Sequence, residues 1–247
     1  MTVDSDFLPG AIIQCITPLA PIRSEANEAS ELETQALYGQ SCEIIERGTK
    51  NWIKVKIEAD QYIGWTDVKH YCVELFSRPY TLGHLIQEVM TVRGRQFLPF
   101  GSFLTEGEKF GLSDIGPQLQ FCSSDIIRLA SKWENAPYLW GGKSILGVDC
   151  SGYIQLLFAF FGIQLPRNAS QQAVLGKHIP FEEHQACDVA FFINEKGKVI
   201  HVGIIAENQR IWHASGMVRL DFITNEGIVH SDSKNLTHQL HSIKRFF

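Results

Sequence analysis

The stretch from Val148 through Asp149, Cys150, Ser151 and Gly152 into Tyr153-Ile-Gln-Leu-Leu-Phe-Ala-Phe-Phe161 constrains this chain more than any other. A glycine turn, Tyr138-Leu-Trp-Gly-Gly-Lys-Ser144, precedes it, and apolar side chains dominate from Tyr153 until Gly162. The pattern predicts a buried helix with Cys150 at its start. A thiol placed there gains stabilisation of its anion from the helix dipole and from free backbone N–H groups, and the thiolate is the nucleophilic form. The longest strictly apolar run, Leu156–Phe161, is six residues, against about 20 for a membrane span. A transmembrane reading fails. The fragment Gly141-Gly-Lys-Ser144 is not a P-loop, because that motif needs a glycine at position 137, which is proline.

A thiol nucleophile needs a base, and the base needs an orienting partner. Of nine histidines, six (70, 84, 178, 184, 238 and 241) sit in polar or turn-like surroundings, His230 follows an apolar pair but leads into a polar tail, and all seven read as solvated surface residues. His201 and His213 differ. Lys198-Val-Ile-His-Val-Gly-Ile-Ile205 and Arg210-Ile-Trp-His-Ala-Ser215 are hydrophobic strands joined by a turn at Glu207-Asn-Gln209. An antiparallel hairpin can bring the two imidazoles to one face. A helix upstream, from Ser123 or Ser124 through Asp125-Ile-Ile-Arg-Leu-Ala-Ser-Lys-Trp133, is expected to end at Pro137.

The remaining features narrow the class. The chain has 247 residues and is 45% hydrophobic, enough for one large or two modest domains. Its net charge of −5 provides no global basic field for nucleic acid or anionic lipid, so neither nucleic acid nor membrane is expected as a partner. Two acids and no apolar core near Met1 argue against a signal peptide, so a cytoplasmic location is expected. None of the six cysteines (15, 42, 72, 122, 150, 187) forms a C-x-x-C pair, which argues against zinc or dithiol chemistry. No metal or cofactor is expected, and the cysteines other than Cys150 read as reduced, buried small hydrophobes.

From Ala11 to about Leu75, short apolar stretches alternate with turns, the signature of a small β-barrel. Ala11–Ile16 reads as a strand stopped by Pro18-Leu-Ala-Pro21, and 22–33 as an acidic surface loop. Trp52-Ile-Lys-Val-Lys-Ile57 and Tyr62-Ile-Gly-Trp65 follow, with Trp52 and Trp65 read as core anchors. The order of these features resembles a bacterial SH3-like (SH3b) module over residues 1–76. Residues 77–121 read as a β-rich linker or a reduced second SH3-like barrel, with strands near 89–92, 96–98 and 102–104.

The second half carries a more specific resemblance. Pro137-Tyr-Leu-Trp-Gly-Gly142, Val148-Asp-Cys-Ser-Gly152, Leu165-Pro-Arg-Asn-Ala-Ser-Gln171, Cys187-Asp-Val-Ala-Phe-Phe192, His201-Val-Gly-Ile204 and His213-Ala-Ser-Gly216 are similar, in order, to the landmarks of NlpC/P60 cysteine peptidases, covering 122–247. The resemblance implies an α+β, papain-like domain with the nucleophile's helix on an antiparallel sheet, preceded by the all-β SH3b part. It implies Cys150 as nucleophile, His201 as base, His213 as the orienting third member and Tyr138 as an oxyanion donor. Asp149 and Ser151 would bind a free amino terminus, with Trp140 among the substrate contacts. Cys187 departs from the family's usual glycine, which is expected to affect a turn rather than the chemistry.

With an SH3b module in front, the chain looks most like the γ-D-glutamyl-L-diamino acid endopeptidases of cell-wall peptide recycling. These cut between γ-D-Glu and L-Lys or diaminopimelate in murein peptides that begin with free L-Ala. In such enzymes the SH3b module lines the cleft, and Tyr62 and Glu33 are the candidates for that task. Two alternatives are a wall-remodelling peptidoglycan hydrolase using SH3b as a wall tether, and a catalytically inactive peptide-binding protein.

Overall fold

The computed structural model describes residues 7–109, 115–116 and 123–247. Cys122 and much of 110–122 therefore lie outside the described residues. The chain divides into two compact units. One comprises residues 1–117 with 140–145, the other residues 118–139 with 146–247.

The first unit begins with seven strands: β1 (Ile12–Cys15), β2 (Leu19–Arg23), β3 (Leu32–Leu37), β4 (Ser41–Arg47), β5 (Trp52–Ile57), β6 (Ile63–Asp67) and β7 (Tyr71–Cys72). They form one antiparallel sheet in the order β3-β2-β6-β5-β4-β1-β7. Alternation along β5 turns Ile53, Val55 and Ile57 into a core shared with Ile13, Ile22, Ala36 and Ile44. The same alternation corrects the reading of the two tryptophans. Trp52 lies opposite in phase to that core, and Trp65 pairs with Lys54 on the outer side, the Lys54 ammonium standing 5.7 Å over its ring. Both are half-buried outer-face residues, not core anchors.

Strand β1 ends at Cys15, ahead of Pro18, as expected, and the chain then resumes as β2. Pro21 sits inside β2, paired with Gln35 of β3, while β6 joins β2 only at Arg23. The missing N–H therefore falls where the ladder makes no demand on it. The acidic loop is accordingly shorter than expected, running between Arg23 and Leu32. Lys143 of the Gly-Gly-Lys-Ser fragment is buried in this unit, with its ammonium 4.0 Å from Asp60 and its backbone N–H on Gln35 Oε1.

Farther on, β8 (Tyr80–Leu82) lies between β11 (Phe103–Leu104) and β12 (Ile115–Gly116), and β9 (Ile86–Thr91) pairs with β10 (Gly94–Pro99) as a hairpin. Arg78 ties this segment to the sheet. Its guanidinium bonds Glu108 and Gln14 and stacks on Tyr38 at 4.4 Å.

The second unit carries α1 (Ser123–Ser131), α2 (Cys150–Phe160) and α3 (Ala169–Gln172). Its strands are β13 (Lys177–Ile179), β14 (Val189–Ile193), β15 (Val199–Ala206), β16 (Arg210–Ser215), β17 (Met217–Ile223), β18 (Gly227–Val229) and β19 (Leu236–Arg245). Helix α1 ends at Ser131, well before Pro137. The long strand β19 pairs with β14 through its second half and with β18 through its first. The antiparallel sheet β14-β15-β16-β17-β18-β19 thus closes on itself instead of remaining open. Ala190, Phe192, Ile205, Ile211, Ile223, Ile228 and Ile243 fill its inner face. Helix α2 packs against β15 and β16.

Cys187 precedes β14 with φ +77°, in the left-handed region. It is fully buried, and its N–H bonds Ile205 O at 2.8 Å. A side chain in this conformation costs about 1–2 kcal/mol, which glycine avoids. Cys187→Gly should therefore be more stable than Cys187→Ala by about 1 kcal/mol in denaturant titrations, since both lose the sulfur. An alanine variant as stable as the glycine variant would contradict this account of the turn.

Candidate active site

Cys150 is the first residue of α2, and Asp149 before it is the N-cap, its Oδ1 accepting the Gly152 N–H at 2.7 Å. Asp149 also accepts a two-pronged bond from Arg167, Nη1 to Oδ1 at 2.9 Å and Nη2 to Oδ2 at 2.5 Å. Arg167 Nη1 donates to Ser151 Oγ at 2.9 Å as well. All three side chains are buried. Removing either charge would leave the other unpaired in the interior, which is strongly destabilising. Gln172 Nε2 donates to Ser151 O and Pro166 O, tying α3 to the same corner.

Tyr138 is held next to this helix start. Its N–H bonds Gly216 O, and it bridges Val148 two residues before Cys150. Burial and the neighbouring Cys150 and Asp149 raise its hydroxyl pKa well above the usual tyrosine range. It therefore keeps its proton and can only donate to a developing oxyanion.

The Cys150 thiol differs from the expectation at a helix start. Burial pushes its pKa up to about 12, with the Asp149 charge adding to the rise. Backbone hydrogen bonds from Val202 and Ser151, and the Arg167 charge, act in the opposite direction. Desolvation wins over the helix terminus. The contact with Val202 places the sulfur beside β15, at the residue following His201.

The register of three strands assembles the rest. His213 on β16 pairs with Gly203, which has no side chain to intervene, so His201 two residues earlier is its diagonal neighbour on the same face. His201 Nε2 lies 2.8 Å from His213 Nδ1. On β17, Asp221 pairs with Ile211, again one diagonal step away, and its Oδ2 lies 3.1 Å from His213 Nε2. Asp221 also accepts Arg219 Nε at 2.8 Å and the Ser231 N–H at 2.8 Å. Burial alone would raise the pKa of this carboxyl, but the bonds from His213, Arg219 and Ser231 hold it well below the usual range.

Tautomers follow from this chain of contacts. An ionised Asp221 only accepts, so His213 carries its proton on Nε2 and offers a lone pair at Nδ1. His201 must then donate from Nε2, which leaves its own Nδ1 as a free base. Burial, with His213 and His238 nearby, keeps the His201 pKa well below that of a free imidazole. Burial also lowers that of His213, against the pull of Asp221. Neither a lone thiolate nor a lone imidazolium is favoured at this site. Were a proton to pass from Cys150 to His201, both charges would form together and their mutual attraction would offset the cost of each.

The expected site residues separate into two groups. Cys150, Ser151, Asp149, Tyr138, His201 and His213 all lie in the second unit. Trp140, 58% exposed, belongs to segment 140–145 of the first unit. Tyr62 and Glu33 also lie in the first unit, Tyr62 half-buried against the barrel core, and burial with the neighbouring Glu31 raises the Glu33 pKa. Sequence reasoning missed Asp221, Arg219 and Arg167. A signal for Asp221 exists: an acid in a strand that is apolar but for one arginine two residues before it, and eight residues after His213. His238 was misjudged as surface. It is half-buried, with its ring stacked on His201.

Asp221→Asn should lower kcat by about tenfold or more, with KM little changed, because an amide cannot balance the imidazolium across His213. Wild-type kcat in this variant would remove Asp221 from the relay. The three lowered histidine pKa values (201, 213 and 238) also set a pH dependence of stability. Unfolding exposes imidazoles that bind protons near pH 6.5, while the folded protein resists protonation. Stability should fall as the pH drops from about 7 to 5, visible as a declining denaturant midpoint. A flat midpoint over that range would contradict the burial argument.

Comparison with known proteins places this geometry. The NlpC/P60 family profile matches residues 135–236, and a profile described as the bacterial dipeptidyl-peptidase Sh3 domain matches residues 22–70. A Bacillus subtilis protein described as a gamma-D-glutamyl-L-lysine dipeptidyl-peptidase is 30% identical over 220 residues, spanning 74% of this chain and 72% of the relative. A probable endopeptidase of Haemophilus influenzae is 39% identical over 106 residues, 42% of this chain and 61% of that protein. A solved NlpC/P60 family structure from Bacillus cereus superposes with a TM-score of 0.79 over 95% of this chain and 99% of that one, at 15% identity, and so shares the fold.

Proposed function

The chain belongs to the NlpC/P60 family, and on that footing we propose that it is a cysteine endopeptidase of murein peptides. It hydrolyses the bond between γ-D-Glu and L-Lys or diaminopimelate in peptides with a free N-terminal L-Ala, within cell-wall peptide recycling in the cytoplasm. One observation supports this substrate over other wall peptides: the similarity to the B. subtilis dipeptidyl-peptidase extends across 74% of the chain, beyond the catalytic part. No helix among the described residues is long and apolar enough to cross a membrane.

In the proposed mechanism, His201 Nδ1 takes the Cys150 proton as the sulfur attacks the scissile carbonyl carbon. A C–S bond forms, and the carbonyl π electrons move to oxygen. The Tyr138 hydroxyl donates to that oxyanion, a contribution of about 3 kcal/mol for a preorganised donor. The imidazolium stays bonded through Nε2 to His213, and Asp221 beyond it balances the charge. Collapse breaks the C–N bond, and His201 returns its proton to the leaving amine of the diamino acid. Water, deprotonated by His201, then cleaves the thioester and restores the thiol. Asp149 and Ser151 receive the free L-Ala amine, and Arg167 fixes both groups in place.

Free L-Ala-γ-D-Glu-L-Lys and its diaminopimelate counterpart, assayed beside glycan-linked stem peptides, test this reading. Cleavage of the free peptides alone is expected. Equal cleavage of sugar-linked stems would replace recycling by wall remodelling. Cys150→Ala should show no turnover, iodoacetamide should inactivate and EDTA should not. An active alanine variant or a chelator-sensitive enzyme would overturn the thiol mechanism.

A further inference from the structure

His238 is the side chain at this centre that the chemistry above leaves without a task. It pairs with Ile228 across β18 and β19, so its ring points to the same inner face as Phe192 and His201. The imidazoles of His238 and His201 lie face to face, with centroids 4.2 Å apart and planes 23° apart. Phe192 meets both rings, at 5.9 Å and 6.1 Å. His238 is itself anchored, with Nδ1 2.9 Å from Thr237 Oγ1. A cavity of about 560 Å³ counts His238, Thr237, Leu236 and Ile200 in its wall, but not His201.

We propose that His238 is a positioning residue for the catalytic base: it fixes the plane of the His201 ring, so that Nε2 stays on His213, and keeps the water of the adjoining cavity off that ring. The torsion that sets a histidine ring plane is broad and poorly defined by its own bonds. Packing must therefore define it, and a pivot of the ring would break the His201–His213 contact. His238 touches neither the sulfur nor the reacting atoms as described, so it acts through His201.

The stack also suits the proton cycle. Burial, with His213 nearby, brings the His238 pKa down to about 4 against the pull of Asp221, so near neutral pH it places no charge against His201. The titratable and charged groups around the pair are His213 and Asp221 with its Arg219, while the Cys150 thiol of α2 stands at Val202, the residue after His201. Glu195 and Lys196 stand in the cavity wall.

Full-length His238→Ala and His238→Phe variants test the proposal through kcat and KM on the free tripeptide and the pH profile of kcat/KM. The pH profile of Cys150 alkylation by iodoacetamide is measured alongside. In the alanine variant kcat should fall about tenfold with KM within twofold. The acid limb of both profiles should move up towards the free-imidazole pKa of about 6.5, because water now reaches His201. The phenylalanine variant keeps the stacked ring, so it should stay within about threefold of wild type with the limb unmoved. Should the alanine variant not fold, His238→Gln, which also lacks a ring, carries the same expectations.

Wild-type kcat and profile in the ring-less variant would overturn the proposal. So would equal losses in the alanine and phenylalanine variants with the limb in place. The proposal rests on the cysteine-peptidase reading, and alkylation separates the two. A shifted alkylation limb in a protein whose wild type cleaves no murein peptide would support the positioning role and end the substrate reading. An unmoved limb in an active peptidase would end the positioning role alone.

Discussion

The hydrogen-bonded line from His201 through His213 to Asp221 crosses three neighbouring strands, and it exists only because their registers place each residue one diagonal step from the next. A slip of one residue between β15 and β16 would turn an imidazole to the other face of the sheet. Closure of the sheet by β19 and the packed inner face hold that register. The line also fixes proton positions. An acceptor-only carboxylate at one end dictates the tautomer of the first imidazole, and that dictates the tautomer of the second, so the basic nitrogen of His201 is set by a residue two strands away.

Burial decides the charges. At Cys150 the helix start and two backbone donors favour the thiolate, yet removal from water outweighs them. The same desolvation keeps the histidines neutral. The thiol and the imidazoles thus rest uncharged, with the ionised Asp221 at the far end of the line. The Asp149–Arg167 pair at the same corner stays together despite its burial. It persists because every polar atom of the carboxylate is bonded, to Arg167, Gly152 N–H and Ser151 Oγ.

Much of this centre was legible along the chain. Cys150 after a glycine turn and before an apolar helix, and two histidines in adjacent hydrophobic strands, are local patterns that required no tertiary knowledge. Both family resemblances are borne out by the profile matches. The misjudged residues share a cause. His238 stands in a polar stretch, Asn235-Leu-Thr-His-Gln239, with nothing nearby in sequence to bury it. What covers it is Phe192 and His201, brought across by ring closure. Trp52 and Trp65 failed in the opposite sense, because bulk suggested burial while strand phase turned them outward.

By itself, then, the chain's one-dimensional pattern determined the class of fold, the helix that starts at Cys150 and the two hydrophobic strands that carry His201 and His213, since helix starts, alternation and turn residues are set by near neighbours. Tertiary structure alone decided the closed sheet, the Asp221 and Arg167 partners, the stack on His201 and the neutral resting state of the thiol. These depend on which distant strands meet and how completely water is shut out, and both are properties of the packed whole.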